Sequence, residues 1–130
     1  MSKSTRRKFL KDSMAASTGL VLCVGAKGRV LGANNRLRIA VAGLKGRGGS
    51  HIGGWLGQDN VEIAYLIDPD RNVLARRVNE VSTRVEGAYT PKGVTDVREA
   101  LEDKNLDAIS IAAPNHWHGP ATIEACKAGK

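Results

Sequence analysis

From Leu37 onward, short apolar runs alternate with longer segments whose apolar residues recur every three or four positions. That alternation predicts parallel strands joined by crossover helices. Leu37 to Ala42 is apolar except at Arg38, as a strand covered on both faces requires. A glycine-rich turn then leads to Ile52, Trp55 and Leu56 at helical spacing, with Gly53, Gly54 and Gly57 weakening that helix. Val61 to Ile67 predicts a second strand. Between Asp70 and Arg84, Leu74, Val78 and Val81 share one helical face while Arg76, Arg77 and Glu80 lie elsewhere around it, the pattern of an amphipathic crossover. Ala88 to Thr90 reads as a short edge strand, Asp96 as the cap of a helix reaching Glu102, and Asp107 to Ala113 as a third strong apolar strand. A fourth helix is expected to start near Gly119-Pro120, where a first-turn proline does no harm. The fold class implied is α/β, a doubly wound parallel sheet.

The residues ahead of the first strand have a different character. Thr5-Arg6-Arg7-Lys8-Phe9-Leu10-Lys11 fills every place of a twin-arginine export signal of the form Ser/Thr-Arg-Arg-x-Phe-Leu-Lys. Ser13 to Ala26 follows as a short, mildly apolar run ending in Val24-Gly25-Ala26, which suits cleavage before Lys27. The run is too short and too polar to span a bilayer, and Leu22 before Cys23 does not suit lipid attachment at that cysteine. The expected organisation is a twin-arginine signal peptide over residues 1–26, a linker over 27–36 and one domain over 37–130. A protein so built is exported by the twin-arginine machinery to the periplasm, with no stable membrane anchor.

Removing the leader changes the charge argument. The chain holds 20 Lys and Arg against 13 Asp and Glu, but five of the bases and one of the acids lie within residues 1–26, leaving 15 against 12, a net +3. The remaining bases are interspersed with acids and aromatics are scarce, so neither a phosphate-tracking stripe nor a base-stacking platform is present, and nucleic acid is set aside as a partner. Past the leader only Cys126 remains, which rules out an intrachain disulfide; beside Ile123 and Ala125 it reads as a small buried apolar residue. No metal-ligand cluster is in view: His116 and His118 have no third ligand near them in sequence. The chain stops at Ala128-Gly129-Lys130, a helix-ending glycine with nothing after it, and reads as truncated.

Three groups of residues carry candidate chemistry. Gly43-Leu44-Lys45-Gly46-Arg47-Gly48-Gly49 lies between a buried strand and a helix. Glycines there allow a tight turn and close backbone approach to a pyrophosphate, with helix N–H groups aimed at the anion. In the Gly-x-Gly-x-x-Gly frame Gly43 and Gly48 fit the outer places, Lys45 occupies the middle one, and Gly46 comes one residue late; a merely flexible turn is the alternative. Lys45 and Arg47 could meet phosphate or simply be solvated. Asp68 ends the second strand, where a carboxylate can accept ribose hydroxyls and disfavour a 2′-phosphate, favouring NAD over NADP, although Arg71 leaves NADP open. Asp68-Pro69 could instead form an ordinary turn or cap the next helix. The third group, Pro114-Asn115-His116-Trp117-His118-Gly119-Pro120, follows the third strong strand, and ligands of open parallel sheets collect at such strand ends. Asn115, His116 and His118 there could bond a nicotinamide ribose or a substrate hydroxyl, or His118 or Asn115 could only cap the following helix.

Taken together, residues Leu37 to Lys130 resemble the Gfo/Idh/MocA oxidoreductases, named for glucose-fructose oxidoreductase, inositol dehydrogenase and a rhizopine-catabolism protein. The resemblance is carried by Arg38-Ile39-Ala40-Val41-Ala42-Gly43, Gly46-Arg47-Gly48, Asp68, Asp107-Ala108-Ile109, Pro114-Asn115-His116-Trp117-His118 and Ala125-Cys126-Lys127-Ala128-Gly129-Lys130. It implies a partial Rossmann-type NAD(P)-binding domain without its substrate domain. The activity implied is hydride transfer between nicotinamide and a sugar, cyclitol or related polyol. By the same resemblance Gly43, Gly46, Arg47 and Gly48 would hold the pyrophosphate, Asp68 the adenosine ribose, and Pro114, Asn115 and His118 the nicotinamide end. The family's catalytic Glu-Lys-Pro segment lies beyond Lys130, so the catalytic residues stay unassigned and the fragment alone is expected to be inactive. Two alternatives remain: an NAD-dependent glycoside hydrolase of the same fold, and a non-catalytic nucleotide-binding module whose sheet edge finds a partner chain. Homo-oligomerisation is left open.

Overall fold

The apolar runs Leu37–Ala42 and Val61–Ile67 form β1 and β2, side by side and parallel, in the computed structural model of the protein, which describes residues 36–130. The expected signal peptide, and the linker apart from Arg36, lie outside the described residues. The other elements are α1 (Arg47–Leu56), α2 (Arg71–Arg84), β3 (Lys92–Val94), α3 (Val97–Leu101), β4 (Ala108–Ile111) and α4 (Asn115–Lys127). The sheet order is β3-β2-β1-β4, with every pairing parallel. This matches the first four strands of the dinucleotide-binding strand order.

The strands sort their side chains between two layers. Ile39, Val41, Ile63 and Leu66 pack with Ile52 of α1 and with Val73, Leu74 and Val81 of α2. Ala40, Ala42, Tyr65 and Ile67 pack with Ala100 and Leu101 of α3 and Ala125 of α4. Helices therefore cover both faces, which is why β1 has no alternating polarity to show. In β2 the alternation is interrupted: Ile39 pairs with Ile63 but Ala40 pairs with Tyr65, so Ala64 is an inserted residue and both Ala64 and Tyr65 face the α3–α4 layer.

Capping follows the expected chemistry. Asp70 accepts the Asn72 and Val73 amides at the start of α2, at 3.1 and 3.3 Å, and Asp96 accepts the Arg98 amide at the start of α3 at 2.9 Å. Gly129 ends α4 with φ of 73°, and the Lys130 amide donates back to the Ala125 carbonyl at 2.9 Å. Lys130 Nζ donates to the Asp103 and Leu106 carbonyls at 2.9 and 2.6 Å, fastening the end of α4 to the turn before β4.

Four expectations need correction. The edge strand is Lys92–Val94, not Ala88–Thr90. Tyr89 instead packs against the α1–α2 layer, and its hydroxyl accepts the Ile63 amide at 3.4 Å. Gly93 lets α2 lie close over this strand, since an added Cβ would come within 3.0 Å of Leu74 and 3.2 Å of Val78. β4 is shorter than Asp107–Ala113 and only half-buried, because it borders the sheet among the described residues. Helix α4 begins at Asn115, several residues before Gly119, and carries Pro120 inside it. Its first turn closes through the Trp117 amide donating to Pro114 O at 2.8 Å. Cys126 is exposed rather than buried, because α4 turns Ala121 and Ala125 to the sheet and leaves Ile123 55% exposed.

At the end of the sheet where the strands begin, Arg38 reaches Glu62 and Asp103, both at 3.3 Å, and the Tyr65 hydroxyl donates to Asp103 at 3.2 Å. The Asn105 amide first, and then Tyr65 and Arg38, hold the Asp103 carboxyl below the ordinary carboxylate range against the opposing effect of burial. A lowered folded pKa gives stability that is complete above the unfolded value, about 4, and is lost as pH falls through the folded value. Acid titration followed by circular dichroism is therefore expected to show a stability loss below about pH 4 that shrinks in Asp103→Asn. Identical acid limbs for the two proteins would refute this assignment.

Candidate functional site

The site is built where β1, β2 and β4 end. The turn after β1 is folded hard against its neighbours: the Gly43 amide donates to Ile67 O at 2.9 Å, and a Cβ on Gly43 would lie 2.7 Å from Ala113 N and 2.8 Å from Ala112 O. Gly43 has φ of 84° and Gly46 has φ of 44°, both in the left-handed region that favours glycine. Gly48 is required for another reason, since a Cβ there would sit 2.0 Å from Gly43 O. Thus the irregular spacing is resolved: Gly43 and Gly48 permit close approach, and Gly46 supplies the backbone bend that starts α1.

Leu44 anchors this turn with its side chain fully buried in the α1–α2 layer. Its amide donates to Asp68 Oδ2 at 2.9 Å, and its carbonyl accepts from Arg77 Nε at 3.1 Å. The Gly48 and Gly49 amides bond to Lys45 O and Gly46 O at 2.9 and 3.1 Å. The amides of Lys45, Gly46 and Arg47 find no acceptor among the described residues. Three successive amides without such an acceptor at a helix start are of the kind that suits an anion. The exposed Arg47 side chain stands beside them.

Asp68 is 5% exposed. Besides the Leu44 amide it accepts the Asp70 amide, on Oδ1 at 2.9 Å, so the helix cap is Asp70 and the strand-end carboxylate braces the glycine turn. Each carboxylate oxygen thus has one amide donor and one further lone pair. Lys45, in the middle glycine place, is drawn to α2, where its Nζ pairs with Asp70 Oδ2 at 2.8 Å. That hydrogen bond, ahead of the Val73 amide, keeps the Asp70 carboxyl below its ordinary range. Arg71 is exposed on the first turn of α2.

On the other side of the β1 turn, Pro114 caps α4 and Asn115, His116, Trp117 and His118 form its exposed first turn. These residues are helical, not the loop expected ahead of a later helix. His118 Nε2–H donates to Ala113 O at 2.8 Å; because a carbonyl only accepts, Nδ1 is left as the free ring nitrogen. The His116 and Trp117 rings are 6.1 Å apart. The structure thus brings Gly43 against the segment leading to Pro114 and brings Asp68 against Leu44. The order β2-β1-β4 leaves Asp68 and the start of α4 on opposite flanks of the turn.

Three contacts were not expected from sequence. Arg77 reaches Leu44 across 33 residues of chain, Lys45 pairs with Asp70, and His51 Nδ1 lies 2.8 Å from Ser110 Oγ. Only Lys45 had a signal, its departure from the glycine frame. Among the described residues no group of three His, Cys, Asp or Glu side chains could hold a metal, and no helix is long and apolar enough to cross a membrane.

Residues 37–130 match the family model for the oxidoreductase family with an NAD-binding Rossmann fold, GFO_IDH_MocA. Among curated proteins, the chain is 32% identical over its whole length to glycosyl hydrolase family 109 protein 2 of Shewanella sp. (strain ANA-3), of which it covers 33%. Among solved structures it resembles myo-inositol 2-dehydrogenase from Lactobacillus plantarum, at 28% identity and a TM-score of 0.63, over 73% of this chain and 26% of that one. It also resembles GenD2 from gentamicin A biosynthesis, solved with NAD, at 26% identity and a TM-score of 0.61, over 74% and 25%. The chain therefore spans about a third of the length of the curated relatives it matches. A parallel sheet with helices on both faces, a glycine turn whose three successive amides lack an acceptor among the described residues, and a matching family model lead to one assignment: the chain belongs to the Gfo/Idh/MocA oxidoreductase family, through its NAD-binding Rossmann domain.

Proposed function

We propose that the whole protein is an exported, periplasmic NAD(P)-dependent oxidoreductase moving a hydride between nicotinamide and a sugar, cyclitol or related polyol, and that this chain supplies its cofactor domain. The observation that carries the reading is the row of free amides at Lys45, Gly46 and Arg47 beside the buried carboxylate of Asp68. Gly43, Gly46 and Gly48 let the backbone meet the pyrophosphate, and Arg47 adds charge at its rim. Asp68 takes the adenosine ribose, while Pro114, Asn115 and His118 border the nicotinamide. When bound, the cofactor supplies the hydride chemistry itself. The residues of this chain bind and orient it; no catalytic acid or base is assigned to them. The polyol substrate is favoured by the inositol dehydrogenase neighbour, and export rests on the leader motif.

A second reading is favoured by the glycosyl hydrolase family 109 names of the curated relatives. In it, the same residues would hold an NAD that stays bound and supplies transient redox chemistry for cleaving a glycosidic bond. The deciding experiment is calorimetry of the full-length protein with NAD and NADP, followed by incubation with polyols and glycosides under NADH absorbance. Net NADH from a polyol supports the dehydrogenase. Sugar release with no net NADH supports the hydrolase, and absence of dinucleotide binding refutes both.

A further inference from the structure

We propose that Arg77 is a positioning residue for the diphosphate: it holds the turn after β1 in its anion-binding shape without touching the ligand. The inference rests on the dinucleotide reading above. Arg77 lies in the middle of α2, its side chain only 18% exposed, and its guanidinium is occupied on three sides. Nε donates to Leu44 O at 3.1 Å, Nη1 donates to Glu80 Oε2 at 2.6 Å, and Nη2 rests where a Cβ on Gly49 would come within 2.8 Å.

The Leu44 carbonyl belongs to the same peptide plane as the Lys45 amide. A trans peptide is planar, so its C=O and N–H point in opposite directions. Fixing Leu44 O toward α2 therefore fixes the Lys45 N–H pointing away from α2, and Lys45 is the first of the three amides without an acceptor among the described residues. On the preceding peptide Asp68 does the complementary work by accepting the Leu44 amide at 2.9 Å. The two peptides flanking Leu44 are thereby oriented by one anion just after β2 and one cation from α2, with the Leu44 side chain buried between them.

Geometry rather than charge decides the residue type. A guanidinium donates in fixed directions within one plane and bonds Leu44 and Glu80 at once, whereas an ammonium is a compact point charge on a flexible stem. A long-range field effect on the phosphates would survive Arg77→Lys; an orienting effect would not.

The test uses the full-length protein and measures ADP-ribose by calorimetry and adenosine by ligand-observed NMR. Both are read at a temperature where near-ultraviolet circular dichroism shows each variant folded. Arg77→Met and Arg77→Lys are both expected to weaken ADP-ribose about tenfold, the value of one well-aimed amide–phosphate hydrogen bond. Adenosine, which lacks the diphosphate, is expected to bind all three proteins alike. Wild-type affinity for ADP-ribose in either variant overturns the proposal, as does an equal loss for adenosine. If Arg77→Met does not fold, Gly49→Ala gives the same reading by displacing Nη2, and unchanged ADP-ribose binding there overturns it too. Failure of the wild type to bind ADP-ribose or NAD is a separate outcome that removes the dinucleotide reading itself, and this proposal with it.

Discussion

Gly48→Ala is expected to lower NAD affinity by at least about a hundredfold, roughly 2.7 kcal/mol, and to destabilise the domain by about 3 kcal/mol. The added methyl would stand 2.0 Å from Gly43 O and 2.8 Å from its carbonyl carbon, well inside van der Waals contact. Gly43 has little room to retreat. Its amide is bonded to Ile67 O, and it lies so close to Ala112 and Ala113 that an added Cβ would come within 2.8 Å of both. The strain must therefore open the turn or tilt α1, and either movement spoils the aim of the Lys45, Gly46 and Arg47 amides. Gly54 of the same helix is the control: it is exposed, with nothing near an added Cβ, so Gly54→Ala should stabilise by about 0.5–1 kcal/mol. Thermal melts and calorimetry on both variants check the pair. A Gly48→Ala protein that melts and binds like wild type would show that the approach of α1 to β1 is not as described.

Asp68→Ala is the second substitution with a large expected effect. The carboxylate is buried and serves the Leu44 and Asp70 amides, so its removal strands two N–H groups at about 1–3 kcal/mol each. NAD affinity is expected to fall more than about tenfold, because the turn loses a brace and, on the proposed assignment, the ribose loses its acceptor. The two losses are separable. A lower melting temperature with unchanged NAD affinity would confine Asp68 to supporting the turn, and no change in either would mean that the carboxylate is misplaced.

Much of this architecture was legible because its signals are local. β1 and β2 are continuous apolar runs, α2 carries one apolar face, and Asp96 caps a short helix, each readable within a dozen residues. The glycine turn and Asp68 were legible as a pair, since a strand end followed by glycines and a second strand end with an acid bring their positions together in this topology. What escaped depends on contacts distant in sequence. β3 is Lys-Gly-Val, without a pattern, and is a strand because it pairs with Tyr65–Ile67 of β2, where Gly93 leaves room for Leu74 and Val78. Cys126 has the composition of a core residue, but the rotation of α4 was set by where the helix began, and Pro120 suggested too late a start. Arg77 looked like one solvated base among several on α2, and only the folded chain shows it holding Leu44.

The inserted Ala64 in β2 has a consequence for the direction of the strand-end acid. Side chains along a strand alternate in parity, and Ile63 belongs to the α1–α2 side. Counting on by twos without the insertion would return Ile67 to that side and send Asp68 to the other, away from Leu44. One extra residue mid-strand reverses the count, so the carboxylate emerges facing the turn it braces.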